Sequence, residues 1–162
     1  CRIPGIAWIR VLYCYPEEIY PELIRVMKEE PKICHYLDLP IQHCNDRILK
    51  RMGRRTTRQE LVDIITALRR EIPDIVLRTT LITGFPGETQ EEHEELMDFI
   101  DEMEFDRLGV FTYSPEEDTL RPLCRTRSMR KSRRTVRQSL WSFSRRSPWT
   151  RDRRRSTLKL RL

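Results

Sequence analysis

The fold class of this chain is decided by one segment, Ile75-Val-Leu-Arg-Thr-Thr-Leu-Ile-Thr-Gly-Phe-Pro-Gly-Glu88. Its first half is a near-continuous run of β-branched and aliphatic residues, which is typical of a strand buried on both faces of a parallel sheet. Gly84, Pro86 and Gly87 end this run, and a capping-box pattern that starts at Thr89 begins a helix. The segment therefore predicts a strand, a tight turn and a helix. This places the turn amides at the carboxyl edge of a sheet, where ligands bind in α/β folds.

The remaining secondary-structure signals alternate along the chain. Runs of β-forming residues predict three further strands, at residues 6–15, 34–40 and 107–113. Apolar residues at helical spacing, capping residues and terminal Pro or Gly predict helices at residues 19–30, 45–52, 57–72 and 89–103. The order β-α-β-α-β-α-β with short connections implies a parallel sheet with right-handed crossovers. Such a sheet is either about half of a β/α barrel or a small open sheet.

The net charge of +6 conceals two segments of opposite sign. Residues 1–119 hold 15 Lys and Arg against 24 Asp and Glu, a net charge of −9. Residues 120–162 hold 16 Lys and Arg against one acid, a net charge of +15. This asymmetry predicts two units, an α/β unit over 1–119 and a basic, irregular or disordered tail over 120–162.

The five cysteines contain no C-x-x-C pair, so a disulfide framework is not expected and a reducing compartment is the default. Cys14 and Cys34 fall within or against predicted strands and are predicted to be core residues. No apolar run approaches the roughly 20 residues that a transmembrane helix needs. The sequence therefore predicts a soluble, cytoplasmic chain that does not contact a membrane.

Several polar residues near the predicted sheet edge could carry chemistry, but each has a simpler interpretation. The turn after Gly84 is not a phosphate loop, because no Gly-Lys-Ser/Thr follows it, and Glu88 could serve only to favour the helix dipole. His43-Cys44 could ligate a metal ion, but no second pair lies at zinc spacing. The simpler prediction is that these two residues are part of a polar loop. His93 lies among glutamates and is predicted on a solvated helix face. These residues alone predict only an α/β ligand-binding sheet.

Four motifs carry a resemblance that extends this interpretation. They are Trp8-Ile-Arg-Val-Leu-Tyr-Cys-Tyr-Pro-Glu-Glu18, Tyr36-Leu-Asp-Leu-Pro-Ile-Gln-His-Cys-Asn-Asp-Arg-Ile-Leu-Lys-Arg-Met-Gly-Arg-Arg-Thr56, Thr80-Leu-Ile-Thr-Gly-Phe-Pro-Gly-Glu-Thr89 and Phe111-Thr-Tyr-Ser-Pro-Glu-Glu-Asp-Thr119. In this order and spacing the chain resembles the radical-SAM methylthiotransferases over residues 3–119. The segment Pro40-Ile-Gln-His-Cys-Asn-Asp46 is similar to the branch that modifies a ribosomal protein. The tRNA-modifying branch, which usually has Gln-Ser-Gly-Ser there, is the nearest alternative.

The resemblance implies a partial β/α barrel whose strand ends hold S-adenosylmethionine over a 4Fe-4S cluster. In that family the cluster cleaves the cofactor reductively, and the 5′-deoxyadenosyl radical abstracts a substrate hydrogen. A second 4Fe-4S cluster supplies sulfur, which gives a methylthio group on the β-carbon of an aspartate in a small-subunit ribosomal protein. The resemblance further implies an electron donor such as flavodoxin or ferredoxin.

The resemblance also implies which residues contact the cofactor. The motif Ile82-x-Gly84-x-x-x-Glu88 is similar to the adenine-contacting motif of the family. Thr80 stands where many members of the family have glycine, and Gln42 corresponds to a neighbouring strand end that faces the cofactor.

Two aromatic residues of the last predicted strand, Phe111 and Tyr113, would flank the adenine. No residue is assigned to catalysis or to metal binding, because the C-x-x-x-C-x-x-C that holds the cluster in the family occurs nowhere in this sequence. Without these thiolates the chain is expected to be inactive alone.

The basic tail has three interpretations. Its composition is typical of a disordered arm that binds nucleic acid, which is the alternative from a different functional class. The family instead has an acidic, amphipathic helix at this place. Permissible codons for Cys124 to Trp149, read in a neighbouring frame, encode a sequence close to that helix, which begins Pro-Asp-Gln-Val-Asp-Glu-Glu-Val-Lys-Glu-Asp-Arg. The third interpretation, which we favour, is a frame slip near Thr119–Leu120, after which the tail binds polyanions only non-specifically.

Overall fold

The computed structural model describes residues 1–114. It contains four strands, β1 (Ile9–Val11), β2 (Ile33–Asp38), β3 (Val76–Thr83) and β4 (Arg107–Thr112). They alternate with four α-helices, α1 (Pro21–Glu29), α2 (Asp46–Arg51), α3 (Arg58–Glu71) and α4 (Gln90–Met103), and a 3-10 turn occupies Pro16–Glu18. None of the helices in this part of the chain is long and apolar enough to cross a membrane. The predicted tail, its boundary at residue 119, the frame slip and Cys124 all lie outside the described residues.

The four strands form one parallel sheet in the order β1-β2-β3-β4. All four helices contribute side chains to one core, which also contains Leu37 of β2 and Leu77 and Leu81 of β3. Cross-strand register places these three leucines on the same face of the sheet. The helices therefore cover one face only, which is the arrangement of a β/α barrel segment rather than of a doubly wound sheet. This confirms the α/β parallel fold and resolves the choice that the sequence left open.

Strand β3 shows the consequence of this one-sided packing. Leu77, Thr79, Leu81 and Thr83 are buried, and the residues between them are only partly buried. The prediction of a strand buried on both faces is therefore wrong, because no helix of the described chain covers the second face. We call this second face the open face. Its strand positions are Arg10, Cys34, Tyr36, Asp38, Val76, Arg78, Thr80, Ile82, Arg107, Gly109 and Phe111.

The element boundaries follow the signals that the sequence contains, with one clear exception. Thr57 and Thr89 both form complete capping boxes. Asn45 and Asp46 were the two candidate caps of α2, and the Asn45 side chain is the one that accepts the amides of its first turn. Strand β1 is much shorter than the predicted strand over residues 6–15. Its register with β2 is irregular, and the backbone turns at Tyr13, whose φ is 58°.

The turn after β3 depends on two glycines with left-handed backbone conformations, Gly84 at φ 69° and Gly87 at φ 81°. A Cβ on Gly87 would lie only 2.3 Å from Nη1 of Arg51. The Arg51 guanidinium lies over the ring of Phe85, 5.7 Å from its centroid. The turn is therefore fixed both by its own backbone and by a cation–π contact from α2.

We predict that Gly87→Ala destabilises the fold more than Gly53→Ala. Gly53 has a similar φ of 74°, so both variants carry the left-handed penalty of about 1–2 kcal/mol, but a Cβ on Gly53 meets no atom within 4 Å. Gly87→Ala must also displace Arg51, which adds about 0.5–1 kcal/mol for the cation–π contact. Urea unfolding followed by circular dichroism measures the difference, and equal midpoints for the two variants would contradict it.

Candidate functional site

The loop that leaves β2 is bonded to β3 through the backbone of Gln42. The Gln42 N–H donates to the Thr80 carbonyl at 3.0 Å, and the Ile82 N–H donates to the Gln42 carbonyl at 2.8 Å. Gln42 has a φ of 69°, a conformation that costs a non-glycine residue about 1–2 kcal/mol, and these two hydrogen bonds hold it there. The structure thus brings three residues with predicted cofactor contacts, Gln42, Thr80 and Ile82, to one place at the carboxyl edge of the sheet.

Phe111 lies beside these residues on the open face. It is the cross-strand neighbour of Ile82, and its side chain is 60% exposed. Thr80 occupies the preceding open-face position on β3, opposite Gly109. An exposed aromatic ring next to an aliphatic side chain offers a flat apolar surface on which a planar base can stack.

Tyr113 and Gly84 both lie at the turn after β3, where Tyr113 contacts the residues on either side of Gly84. The Tyr113 N–H donates to the Thr83 carbonyl at 2.9 Å. Its ring packs edge-on against Phe85, with 5.3 Å between the ring centroids. Gly84 is buried directly between Thr83 and Phe85. These two predicted residues therefore shape the rim of the site.

Glu88 lies inside the protein, behind the turn. The Glu88 side chain is 3% exposed, and its carboxylate accepts the Phe85 N–H at 2.9 Å. The second carboxylate oxygen lies 3.7 Å from Nε2 of His43 and 3.4 Å from Nδ1 of His93. Among the side chains with predicted cofactor contacts, Glu88 is the one that is buried in the interior of the protein. It closes the turn from within.

Two histidine interpretations drawn from the sequence are wrong. His43 is fully buried and His93 is 7% exposed, so neither belongs to a polar loop surface or a solvated helix face. His43 Nδ1 accepts the Asn45 N–H at 3.0 Å, which fits the tautomer whose proton is on Nε2, the atom nearest Glu88. The glutamates on both sides of His93 in the sequence suggested a solvated helix face, but His93 lies on the buried face of α4 and points towards Glu88.

Burial and hydrogen bonding act in opposite directions on the Glu88 carboxyl. Burial raises its pKa, but the contacts from His43 and His93 and the hydrogen bond from the Phe85 amide outweigh burial and lower the pKa to about 2. Glu88 is therefore a permanent buried carboxylate at neutral pH.

Cys44 behaves as a core residue and not as a ligand. It is fully buried, and burial raises the pKa of its thiol to about 12. Its Sγ lies 3.6 Å from the Glu95 carbonyl oxygen, to which it donates. Within residues 1–114, no group of three or more His, Cys, Asp and Glu side chains is arranged to hold a metal ion.

An ion pair that the sequence analysis did not single out lies next to the site on the open face. Nη1 of Arg78 donates to both carboxylate oxygens of Asp38, each at 2.7 Å. Asp38 is 2% exposed, and the Arg78 side chain is 33% exposed. The strand period of two was the available signal, because it places Arg78 on the same face as Thr80 and Ile82.

Comparison with known proteins identifies the family. The model of the radical SAM superfamily matches residues 2–100. The chain belongs to the radical SAM superfamily. Membership implies S-adenosylmethionine and a 4Fe-4S cluster as cofactors of this family.

Curated relatives carry a more specific name. The chain is 71% identical over 119 residues to the ribosomal protein uS12 methylthiotransferase RimO of Lachnoclostridium phytofermentans, which covers 74% of this chain and 27% of the relative. It is 59% identical over 118 residues to the protein of the same name from Desulfitobacterium hafniense, with 73% and 26% covered. The chain thus spans about a quarter of the length of these relatives.

Solved structures of other radical SAM enzymes share the fold. Coproporphyrinogen III oxidase (HemN) of Escherichia coli matches with a TM-score of 0.64 and 20% identity, over 86% of this chain and 32% of HemN. The radical S-adenosylmethionine methyltransferase TsrM of Kitasatospora setae, solved with cobalamin and a [4Fe-4S] cluster bound, matches with a TM-score of 0.53 and 20% identity, over 64% of this chain and 20% of TsrM.

The described residues fit the two cofactors of the superfamily differently. The stacking surface of Ile82 and Phe111, with the polar Gln42 and Thr80 beside it, fits a nucleoside such as the adenosyl part of S-adenosylmethionine. The iron–sulfur cluster does not fit, because residues 1–114 present no thiolate set that could hold it.

We predict that Glu88→Gln lowers stability in a pH-dependent manner. The folded pKa of about 2 lies below the ordinary value of 4.5, so the carboxylate stabilises the fold above pH 4.5 and this contribution is lost as the pH falls towards 2. The expected loss is about 3 kcal/mol at pH 7 and much less at pH 3. Urea unfolding at both pH values measures it. Glu91→Gln, at an exposed position of α4, is the control. If the difference in unfolding free energy between Glu88→Gln and Glu91→Gln is as large at pH 3 as at pH 7, the prediction is wrong.

Proposed function

We propose that residues 1–119 are part of the S-adenosylmethionine-binding barrel of a methylthiotransferase. Its substrate would be an aspartate of small-subunit ribosomal protein uS12, which gains a methylthio group. The observation that carries this proposal is that Gln42 is bonded through its backbone to Thr80 and Ile82 at the carboxyl edge of the sheet, beside Phe111, in a chain 71% identical over 119 residues to a relative named for this activity.

The residues at this edge have distinct tasks in the proposed function. Ile82 and Phe111 would stack the adenine, while Gln42 and Thr80 supply polar groups at its border. The buried Glu88 would keep the turn from Gly84 to Gly87 in one conformation by accepting the Phe85 amide. When bound, S-adenosylmethionine supplies the radical chemistry of the superfamily. These residues bind and orient the cofactor.

The remaining components of the proposed reaction lie beyond the described residues. Two 4Fe-4S clusters and an electron donor such as flavodoxin or ferredoxin belong to this proposal, and so does a cytoplasmic location. Because residues 1–114 hold no cluster ligands and the whole sequence lacks a C-x-x-x-C-x-x-C, we expect that the chain alone does not form 5′-deoxyadenosine. The basic tail over 120–162, with its non-specific binding of polyanions, stays a prediction from composition.

A chimera provides the direct test. Residues 1–119 replace the matching segment of the Lachnoclostridium phytofermentans relative, and the purified, cluster-loaded chimera is incubated with S-adenosylmethionine, reductant and uS12. We expect the methylthio group on one aspartate of uS12, detected by mass spectrometry, at a rate within about tenfold of that of the unaltered relative, because the site residues are local to this segment.

The same chimera is also offered a tRNA substrate, with reactions lacking S-adenosylmethionine as the blank. A folded chimera that modifies tRNA and leaves uS12 unchanged would contradict the proposal and favour the tRNA-directed branch. A folded chimera that modifies neither would contradict the family-level activity for this segment.

We predict that Phe111→Ala weakens binding of the non-reactive analogue S-adenosylhomocysteine to the chimera by about fivefold or more. Loss of base–aromatic stacking costs about 1–3 kcal/mol, and Phe111 is 60% exposed, so its truncation leaves the core intact. Val26→Ala, which truncates a 39% exposed side chain of α1, is the matched control and should bind normally. Isothermal titration calorimetry gives both constants. Equal affinities for the two variants would exclude the adenine from this surface.

A further inference from the structure

Gly109 leaves room on the open face beside two polar side chains. A Cβ built on Gly109 would lie 3.6 Å from Nη2 of Arg78, 3.6 Å from Oγ1 of Thr80 and 3.8 Å from the backbone carbonyl oxygen of Thr79. The φ of Gly109 is outside the left-handed region, so the backbone does not require glycine there. The missing side chain therefore creates space rather than a turn, and an oxygen atom in that space could accept hydrogen bonds from both groups.

Arg78 is held in a fixed orientation towards this space. Its Nη1 donates to both oxygens of the buried Asp38, which anchors one end of the guanidinium. These hydrogen bonds from Arg78 to Asp38 also keep the pKa of Arg78 above its ordinary value. The other terminal nitrogen, Nη2, is the one that lies nearest the Gly109 position. A guanidinium anchored in this way is preorganised for a second carboxylate, because little side-chain freedom remains to be lost.

The open face around this space is basic. Arg10 lies over the ring of Tyr36, 3.7 Å from its centroid, and Arg107 is the cross-strand neighbour of Arg78. Among the open-face strand positions of the described chain, Asp38 is the sole carboxylate, and Arg78 neutralises it. The net charge of this face therefore attracts an anionic group towards Arg78.

We propose that Arg78, Thr80 and Gly109 form a carboxylate-binding subsite, and that it holds the side-chain carboxylate of the substrate aspartate. This inference rests on the proposed function and deepens it by naming the residues that select aspartate. The pair Thr80–Gly109 of the subsite is next to the pair Ile82–Phe111 on the open face. A carboxylate at the subsite and a base stacked on Ile82 and Phe111 would therefore be neighbours. Arg78 would be a specificity-determining residue, because aspartate and asparagine differ at the group it contacts.

The test compares two forms of uS12 on the chimera defined above, without reductant, so that binding is measured and no turnover occurs. One form carries the aspartate that the relative modifies, and the other carries asparagine there. Fluorescence anisotropy gives both affinities. We expect the parent chimera to bind the aspartate form about tenfold more tightly or better, which is the effect of one charge-assisted contact.

Two variants remove the subsite in different ways. Gly109→Ala fills the space while it keeps the ion pair, and the double variant Asp38→Asn/Arg78→Gln removes both charges without leaving a buried carboxylate unpaired. Both should bind the two forms of uS12 equally, and both should bind S-adenosylhomocysteine as the parent does. Circular dichroism shows whether each variant is folded. The two variants change different residues, so if one of them does not fold, the other still tests the subsite.

The outcomes separate the possible sources of the carboxylate. If both variants still bind the aspartate form of uS12 more tightly than the asparagine form, the proposed subsite is wrong. It is also wrong if the parent chimera shows no such preference. A loss of affinity for S-adenosylhomocysteine with unchanged preference would assign the subsite to the cofactor carboxylate and overturn the substrate assignment. A parent chimera that binds neither form of uS12 would overturn the proposed function itself and the inference with it.

Discussion

Leu77 and Leu81 project from β3 into a core that all four helices share, and this one-sided burial governs the rest of the architecture. Each parallel crossover must return on the same side when spatial order follows chain order, so every helix lies against the same face. The opposite face keeps no helix in the described chain and is free to hold polar and charged groups at strand positions. The site therefore results from chain topology as much as from the identity of its side chains.

The rim of the site is held by a carboxylate that never reaches its surface. Glu88 accepts the amide of Phe85 from behind the turn, and His43 and His93 approach it from the β2–α2 loop and from α4. The same loop contributes Gln42, whose backbone bonds to both Thr80 and Ile82. Buried contacts and backbone hydrogen bonds thus fix the position and conformation of the rim. The side chains on the open face are not needed for this and are available to contact a ligand.

The sequence was sufficient for the fold, and it indicated several of the residues that the structure places at the carboxyl edge of the sheet. The predictions that failed have physical causes. Capping boxes at Thr57 and Thr89 are local signals and predicted their helices correctly. One-sided burial of β3 could not be inferred from its apolar run, because only the crossover geometry decides which face is covered. His93 was misplaced because its neighbours in the sequence are all glutamates, of which Glu91 and Glu94 are exposed, whereas the His93 side chain turns inward towards Glu88. The strand period of two places Arg78 on the open face, but its pairing with Asp38 joins two strands, and the pattern within either strand does not give that partner.

The register of the sheet also determines how the chain can assemble. Tyr36 pairs with Val76, and Arg78 pairs with Arg107, so each strand pairing closes a long segment that includes helical structure. The entropy of closing such loops must be overcome before any pairing contributes stability, which makes parallel sheets slow to form. Local structure available earlier consists of the capped fourteen-residue helices α3 and α4, which are marginal in isolation. Helix docking and strand pairing must therefore occur together, and a nascent chain that ends before β4 leaves one edge of β3 without its partner.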